Sequence, residues 1–564
     1  MAAASYTTDL NDFEDFEAAS IVTEVTGYVA TSKPEDQDGD NPIQGSQHAS
    51  AEQRTAALGS IVVDGTGFTL PAGEAIFVWQ NFLQAGAVGA FSAAGIVAII
   101  GSATNAYWRW TVGGNDFGRN PFGGWSNFVV DPTITTGRDA PQNTPTSTYS
   151  VIGYGCNVIS AIAKGSPYNL DVIRYGRGEL FVTDGDLANG YATFEGIATQ
   201  NDSNLNRWGL FQEQFGTYLW KGLLNLGNTT SVDFRDNNKA IFVDNTPVVS
   251  SGFNRIEIRG TSSNVDWDNI NITALGITGP TNGTTASRGE LEMVDGATLD
   301  FNTCVFTDMN TFIFNKGTGK CDLINNTWRR CNQVTQGGAS FVNCSFEATQ
   351  ADVALLSTAA TANSIDGCNF VGDNTSHAVN LGSVASSTSI NWNSTFDSTT
   401  YATTNQAQNA SSASGDSEVI LVNVASGQTL TINVQGSGTS PTYRNTGPGT
   451  VDVVASATLR IENIVDTSEV RIVDRDTNPD TILAGVETVG TTPVGVDGVT
   501  VSSDPNNAGR FVVEYSYDQA DAPINSRIVV MNLDYVHFSQ NLTLPTTGQS
   551  LFVSQRLDRN FTNP

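Results

Sequence analysis

Between residues 265 and 396 one short phrase keeps returning: "VDWDNINI" (265–272), "LDFNTCVF" (299–306), "DLINNTW" (322–328), "SFVNCSF" (340–346), "SIDGCNF" (364–370) and "INWNSTF" (390–396). The closing aromatics Phe306, Trp328, Phe346, Phe370 and Phe396 are separated by 22, 18, 24 and 26 residues. Self-similarity at that period marks a solenoid, whose turns absorb the extra residues. Two positions before each of these aromatics stands Cys, Asn or Ser, and strand residues two apart face the same way. Aromatics are therefore predicted to stack on aromatics, and small residues on small residues, in a right-handed parallel β-helix. Second strands of the coils are expected at "TFIFN" (311–315), "DVALL" (352–356) and "HAVNL" (377–381).

The rest of the chain also reads as β-structure. Charged residues make up only 15% of 564, and Gly, Ser, Thr, Asn and Asp crowd out the usual helix formers. Residues 1–150 carry short strands broken by Gly, Pro and Asn, including the alternating "YWRWTV", and predict a jelly-roll or concanavalin-like sandwich. A connecting segment is expected at 151–184, the β-helix at 185–412, a small β module at 413–460 and a C-terminal β-sandwich at 461–564. The C-terminal modules are expected to cap the open end of the solenoid. Within them, "VRIVDRDTNPDTILAGVE" reads as a hairpin turning at Asn-Pro-Asp.

A net charge of −30, from 57 acidic and 27 basic residues, argues against binding to nucleic-acid phosphates. The uncharged stretch 75–108 has Trp near both ends, but its Gly, Ser, Gln and Asn point to buried strands instead of a membrane span. The first residues lack the basic and apolar regions of a secretory signal. Six cysteines without zinc spacing are expected as free, buried thiols, consistent with folding in a reducing cytoplasm.

Three sets of residues are candidates for chemistry. Polysaccharide-cleaving β-helices need paired acids facing a groove, which singles out Asp266 with Asp268 and Glu290 with Glu292. Tyr107, Trp108, Trp110 and Trp125 are candidates for a platform on which sugar rings stack. Oxygen ligands at alternate positions suggest structural calcium at Asp36, Asp38 and Asp40, or at Asp474, Asp476 and Asp480. Neither loop has the Gly and Glu positions of a calcium-binding hand, so both are expected as acidic turns and no cofactor is expected. Only three histidines occur, in unrelated contexts, and no nucleophile motif is present.

The succession of a jelly-roll-like N-terminus, "LDVIRYGRGELFVTDGDLANGYATFEGI" (170–197) and a β-helix resembles virion proteins of tailed bacteriophages. "GGWSNFVVDP" (123–132) is similar to their lectin-like domains, and "SLFVSQRLDRNFTNP" (550–564) to a terminus seen among them. The resemblance implies a tail fibre, tailspike or baseplate-associated component, assembled in the host cytoplasm and carried on the virion. It implies a homotrimer, other virion proteins as partners and host-surface polysaccharide as a ligand. The alternatives are a capsid-decorating protein (head fibre or cement) and a tailspike depolymerase, some relatives being glycan-cleaving tailspikes. No residue here matches an active-site motif of such enzymes, so no catalytic role is carried over.

Overall fold

A computed structural model describes residues 4–558 except 19–21, 24, 28, 31, 39–41, 54–57, 83–90, 113–124, 136–137, 159–165, 185–189, 203–208, 215, 245–252, 275–287, 315–319, 407–416 and 546–547. The fold is all-β, with one α-helix, Phe194–Asp202, among the described residues. The chain divides into two units: residues 1–340 with 344–355, and 341–343 with 356–564.

The first unit opens with a sandwich of two antiparallel sheets. One has strands Ala106–Val112, Phe91–Ala103, Tyr149–Val158, Leu58–Phe68 and Val22–Thr23 in spatial order; the other has Trp125–Val130, Ala75–Phe82, Ser166–Gly176, His48–Gln53 and Ser32–Asp38. The segment 151–184, expected as a connector, thus contributes to strands Tyr149–Val158 and Ser166–Gly176, one in the middle of each sheet. Ala98, Ile100 and Trp110 face the core between the sheets, whereas Val97, Ile99 and Tyr107 build a second apolar cluster with Val151. A strand buried on both faces reads as a continuous apolar run, which explains the uncharged stretch 75–108. Among the described residues no helix is long and apolar enough to cross a membrane.

The solenoid follows. In the first unit, parallel strands Glu179–Thr183, Leu223–Leu226, Arg255–Ile258, Glu290–Met293, Phe312–Ile313, Val334–Thr335 and Val353–Leu356 form one ladder. A second ladder begins with Asp233–Val243 and Asn264–Ala274. From the next coil each such strand is cut in two: Thr298–Asn302 pairs with the first half of Asn264–Ala274 and Val305–Thr307 with the second. At every bend one residue takes positive φ: Asn238, Asn269, Thr303, Asn325, Asn343 and Gly367. Asn and Gly tolerate that conformation best. The corner is what the recurring phrase encodes.

Just after the bend comes the small residue of the phrase, and its role exceeds filling space. Cys304, Asn326, Cys344, Cys368 and Ser394 are all buried. The Cys304 thiol donates to Trp267 O at 3.6 Å, Asn326 Nδ2 to Phe301 O at 2.8 Å, and the Cys344 thiol to Leu323 O at 3.2 Å. These three corner side chains thus tie back to a core residue of the preceding coil. Asn326 works in both directions, because its Oδ1 accepts from Cys304 N at 2.7 Å. Leucine at this position strands a buried N–H and a buried carbonyl. Asn326→Leu is expected to cost about 2–6 kcal/mol in urea unfolding, at roughly 1–3 per orphaned group.

Burial pushes the thiols of Cys304 and Cys331 up to about 12. Unfolded thiols ionise near pH 8.5, so above that pH the unfolded state sheds protons that the native state keeps. Stability is then expected to fall with rising pH, by about 1.4 kcal/mol per pH unit per thiol, until about pH 12. Below pH 8.5 this dependence vanishes. Denaturant titrations at pH 7.5, 9 and 10, compared with the Cys304→Ser/Cys331→Ser double variant, check the slope.

The solenoid begins and ends differently. In the first unit, Ser5–Thr8 pairs antiparallel with Glu179–Thr183 and covers the free edge of that ladder. Helix Phe194–Asp202 seals the interior: Phe194 meets Phe234, Trp267 and Phe211 with ring centroids 4.9–5.5 Å apart. Asp236 holds the helix start by accepting from Phe194 N at 2.8 Å.

In the second unit the parallel pairing does not stop at residue 412. His377–Val384 pairs with Ile420–Val424, and that strand with Tyr443–Asn445; Thr388–Trp392 pairs with Thr429–Val434, and that strand with Thr450–Ala455. Residues 420–455, expected as a separate module, are therefore further coils. Strand Thr450–Val465 then runs on into the C-terminal sandwich, where it pairs antiparallel with Arg510–Asp518 and parallel with Gln549–Phe552. The facing sheet contains the expected hairpin, Glu469–Asp474 with Thr481–Thr488.

Candidate functional site

The alternation that sends Trp267 and Phe301 inward sends their neighbours outward on the first unit's second ladder. Register places Arg235, Asp266, Asp300 and Asp322 in one column across four coils, and Asn237, Asp268 and Asn302 in the next. Neighbouring rungs lie about 4.8 Å apart, so three carboxylates climb the face in close succession. Like charges directly opposite one another repel. Asp266 accordingly sits above the usual carboxylate range, first because its surroundings are partly desolvated and next because of Asp300, with Arg235 opposing. Polar side chains bridge the coils here: Asn264 Nδ2 donates to Asp233 at 3.0 Å, Thr303 Oγ1 to Asp268 at 3.1 Å and Asn269 Nδ2 to Asn238 at 2.7 Å. Lys320 bonds Asp322 at 2.5 Å.

Asp266 and Asp268 thus share an exposed face, as their spacing requires. Asp300 and Asp322 complete the column and were not singled out from the sequence. The signal was present: in "VDWDN", "LDFNT" and "CDLIN" an Asp directly precedes the core residue.

The other acid pair is committed elsewhere. Arg255 Nε and Nη2 donate to Glu290 Oε2 at 3.0 and 2.6 Å, and Nη1 to Glu292 Oε2 at 3.2 Å. Asn310 Nδ2 takes the second Glu290 oxygen at 2.7 Å. One guanidinium is thus shared by both acids. Glu290 and Glu292 belong to an ion-pair network on the first ladder, with Arg259 donating to Glu257 beside them.

The aromatics do not form one platform. Tyr107 is buried, its hydroxyl bonded to Thr26 O, and Trp110 is buried on the opposite face with Nε1 donating to Ile134 O at 3.2 Å. Alternation along a strand forces that separation. Trp108 is half-buried beside Tyr149, with the Arg138 guanidinium 5.4 Å above its ring. The side chain of Trp125 lies outside the described residues.

The calcium candidates are likewise dispersed. Asp36 and Asp38 fall in edge strand Ser32–Asp38 instead of a turn, with side chains outside the described residues, as is Asp40. Asp476 accepts from Asn525 Nδ2 at 3.0 Å and Asp480 from Arg527 at 2.7 Å, while Asp474 Oδ1 accepts from Asp476 N at 2.8 Å. Among the described residues no group of three or more metal-ligating side chains converges.

No family model matches the chain, and no curated protein matches it. Among solved structures, it is similar to the catalytic domain of a GH87 alpha-1,3-glucanase in complex with nigerose, at 10% identity and a TM-score of 0.15, over 79% of this chain and 96% of that one. It is also similar to the Agl-KA catalytic domain, at 8% identity and a TM-score of 0.17, over 76% of this chain and 89% of that one. At such scores neither likeness bears on function.

Proposed function

We propose that this chain is a structural protein of a tailed-bacteriophage virion, a tail fibre, spike or baseplate-associated component that self-assembles as a homotrimer and binds host-surface glycans. The observation that carries the reading is a parallel solenoid whose first edge is covered by a strand of its own chain and whose second ladder runs directly into a β-sandwich. A covered edge keeps strands from pairing with other chains, which suits a protein present in many copies on one particle. The polar outward columns of the second ladder offer hydroxyl-binding side chains at a fixed repeat. The mass of the purified protein by light scattering, before and after brief heating in detergent, tests the assembly. A heat-resistant trimer is the expected result, and a monomer at every concentration counts against the proposal.

Asp266 favours a second reading, that of a polysaccharide depolymerase. A carboxyl raised above its usual range beside a second carboxyl on the next rung, about 5 Å away, has the arrangement of an acid and nucleophile pair. Release of reducing ends from capsule or lipopolysaccharide of the host, abolished by Asp266→Asn and by Asp300→Asn, is its test. Polysaccharide that binds and stays intact leaves the structural reading in place.

A further inference from the structure

Where the N-terminal sandwich meets the first coils, three buried polar residues converge. Lys221, Asp244 and Asn127 are only 2%, 8% and 5% exposed. Lys221 Nζ stands 2.8 Å from Asp244 Oδ2 and 2.9 Å from the main-chain oxygen of Asn127. The Asn127 side chain branches from the residue that the lysine already holds. Its Oδ1 and Nδ2 are both buried without a hydrogen-bond partner among the described residues. A buried carboxamide normally has partners for both atoms, so this one is unspent.

The surroundings press the same groups together. Gly209, at φ +76°, lies so close that a Cβ there would stand 2.0 Å from Asn127 Nδ2 and 2.8 Å from the Trp79 ring. The next residue, Leu210, accepts from Lys221 N at 2.8 Å. Asn254 fixes the third corner, donating from Nδ2 to Asp244 O at 2.8 Å while accepting from Gly222 N at 2.8 Å. Amine and carboxylate are therefore in contact in a buried site, and the carboxamide branches from the residue whose main-chain oxygen the amine holds.

We infer that Lys221 and Asn127 form an intramolecular isopeptide bond, with Asp244 as the catalytic acid–base. Asp244 takes a proton from Nζ, and the neutral amine attacks Cγ of Asn127. The Cγ–Nζ bond forms, Asp244 passes its proton to Nδ2, the Cγ–Nδ2 bond breaks, and the second Nζ proton travels through Asp244 to the ammonia, which leaves as ammonium. No oxidant, reductant or cofactor is needed. Pre-positioning makes an amine–amide exchange, negligible in solution, effectively unimolecular. The product is a covalent staple between the sandwich strand Trp125–Val130 and the start of the solenoid.

Intact-mass spectrometry of the purified full chain, followed by peptide mapping, is the test. The expected result is a mass lower than the sequence mass by one ammonia, with a branched peptide joining the segments around Asn127 and Lys221. Lys221→Arg keeps the charge pair with Asp244 but cannot form the amide, and is expected to restore the full mass in a folded protein. Asp244→Asn is expected to restore it too. A wild-type mass equal to the sequence mass overturns the inference, as does an ammonia loss that persists in Lys221→Arg or maps to another residue.

Discussion

Replacing Arg444 by methionine is expected to destabilise the second unit by about 3–5 kcal/mol, the usual cost of breaking a buried ion pair from one side. Arg444 Nε lies 3.5 Å from Glu418 Oε2, and the two side chains are 2% and 0% exposed. Glu418 also places its main-chain oxygen 2.7 Å from Nδ1 of the buried His377. Removing the guanidinium takes the paired cation from a fully buried carboxylate. The pair itself contributes much less than this loss, because desolvating two ions offsets most of their attraction. The double variant Arg444→Met/Glu418→Leu is therefore expected to recover most of the stability. Urea unfolding of the wild type, the single variant and the double variant checks both statements, and a double variant as unstable as the single one contradicts this account.

The second large effect belongs to Trp328. Its ring stacks on Phe306 at 5.6 Å and on Phe346 at 5.0 Å, and meets the edges of Phe312 and Phe314 at 6.1 and 6.3 Å. Trp328→Ala opens a void inside a stack whose neighbours are fixed by backbone ladders and cannot close in. About 3–5 kcal/mol is expected. Phe396 occupies the same place in the phrase but is only half-buried. Phe396→Ala is expected to cost about 1 kcal/mol, in line with the smaller apolar area it removes from water. Equal costs at the two positions would mean that sequence position, not burial, sets the contribution of each rung.

That contrast shows how far the phrase could be read. Its period predicted stacked coils, and Trp267 over Phe301 at 4.5 Å, or Trp328 over Phe346, is what stacking at that period produces. The conformation of its middle was hidden. Asn269, Asn325, Thr303 and Gly367 have no one side-chain type in common, only a positive φ, and composition cannot show a backbone angle. The corner residues were legible as small but not as hydrogen-bond donors, because the acceptors belong to a different coil.

The limits of the solenoid were harder to see for a related reason. Residues 420–455 alternate more densely than the aromatic phrase, yet pair in the same parallel sense; pairing partners are set by topology, whereas alternation reports only which face is buried. The candidate site was half legible. Asp266 and Asp268 could be placed on one face from spacing alone. Their relation to Asp300 and Arg235 needed register, and so did the capture of Glu290 and Glu292 by Arg255 from the preceding coil.

Strand Thr450–Val465 carries a mechanical consequence. Its first residues are a rung of the solenoid and its last are part of the terminal sandwich, with no intervening loop. A pull on the sandwich along this strand reaches the rung through one extended backbone. The load then spreads over many ladder hydrogen bonds at once, in shear, instead of opening them singly from an end. A flexible linker at this place would yield at low force and shield the coils. This continuous strand makes the two modules bear tension as one element.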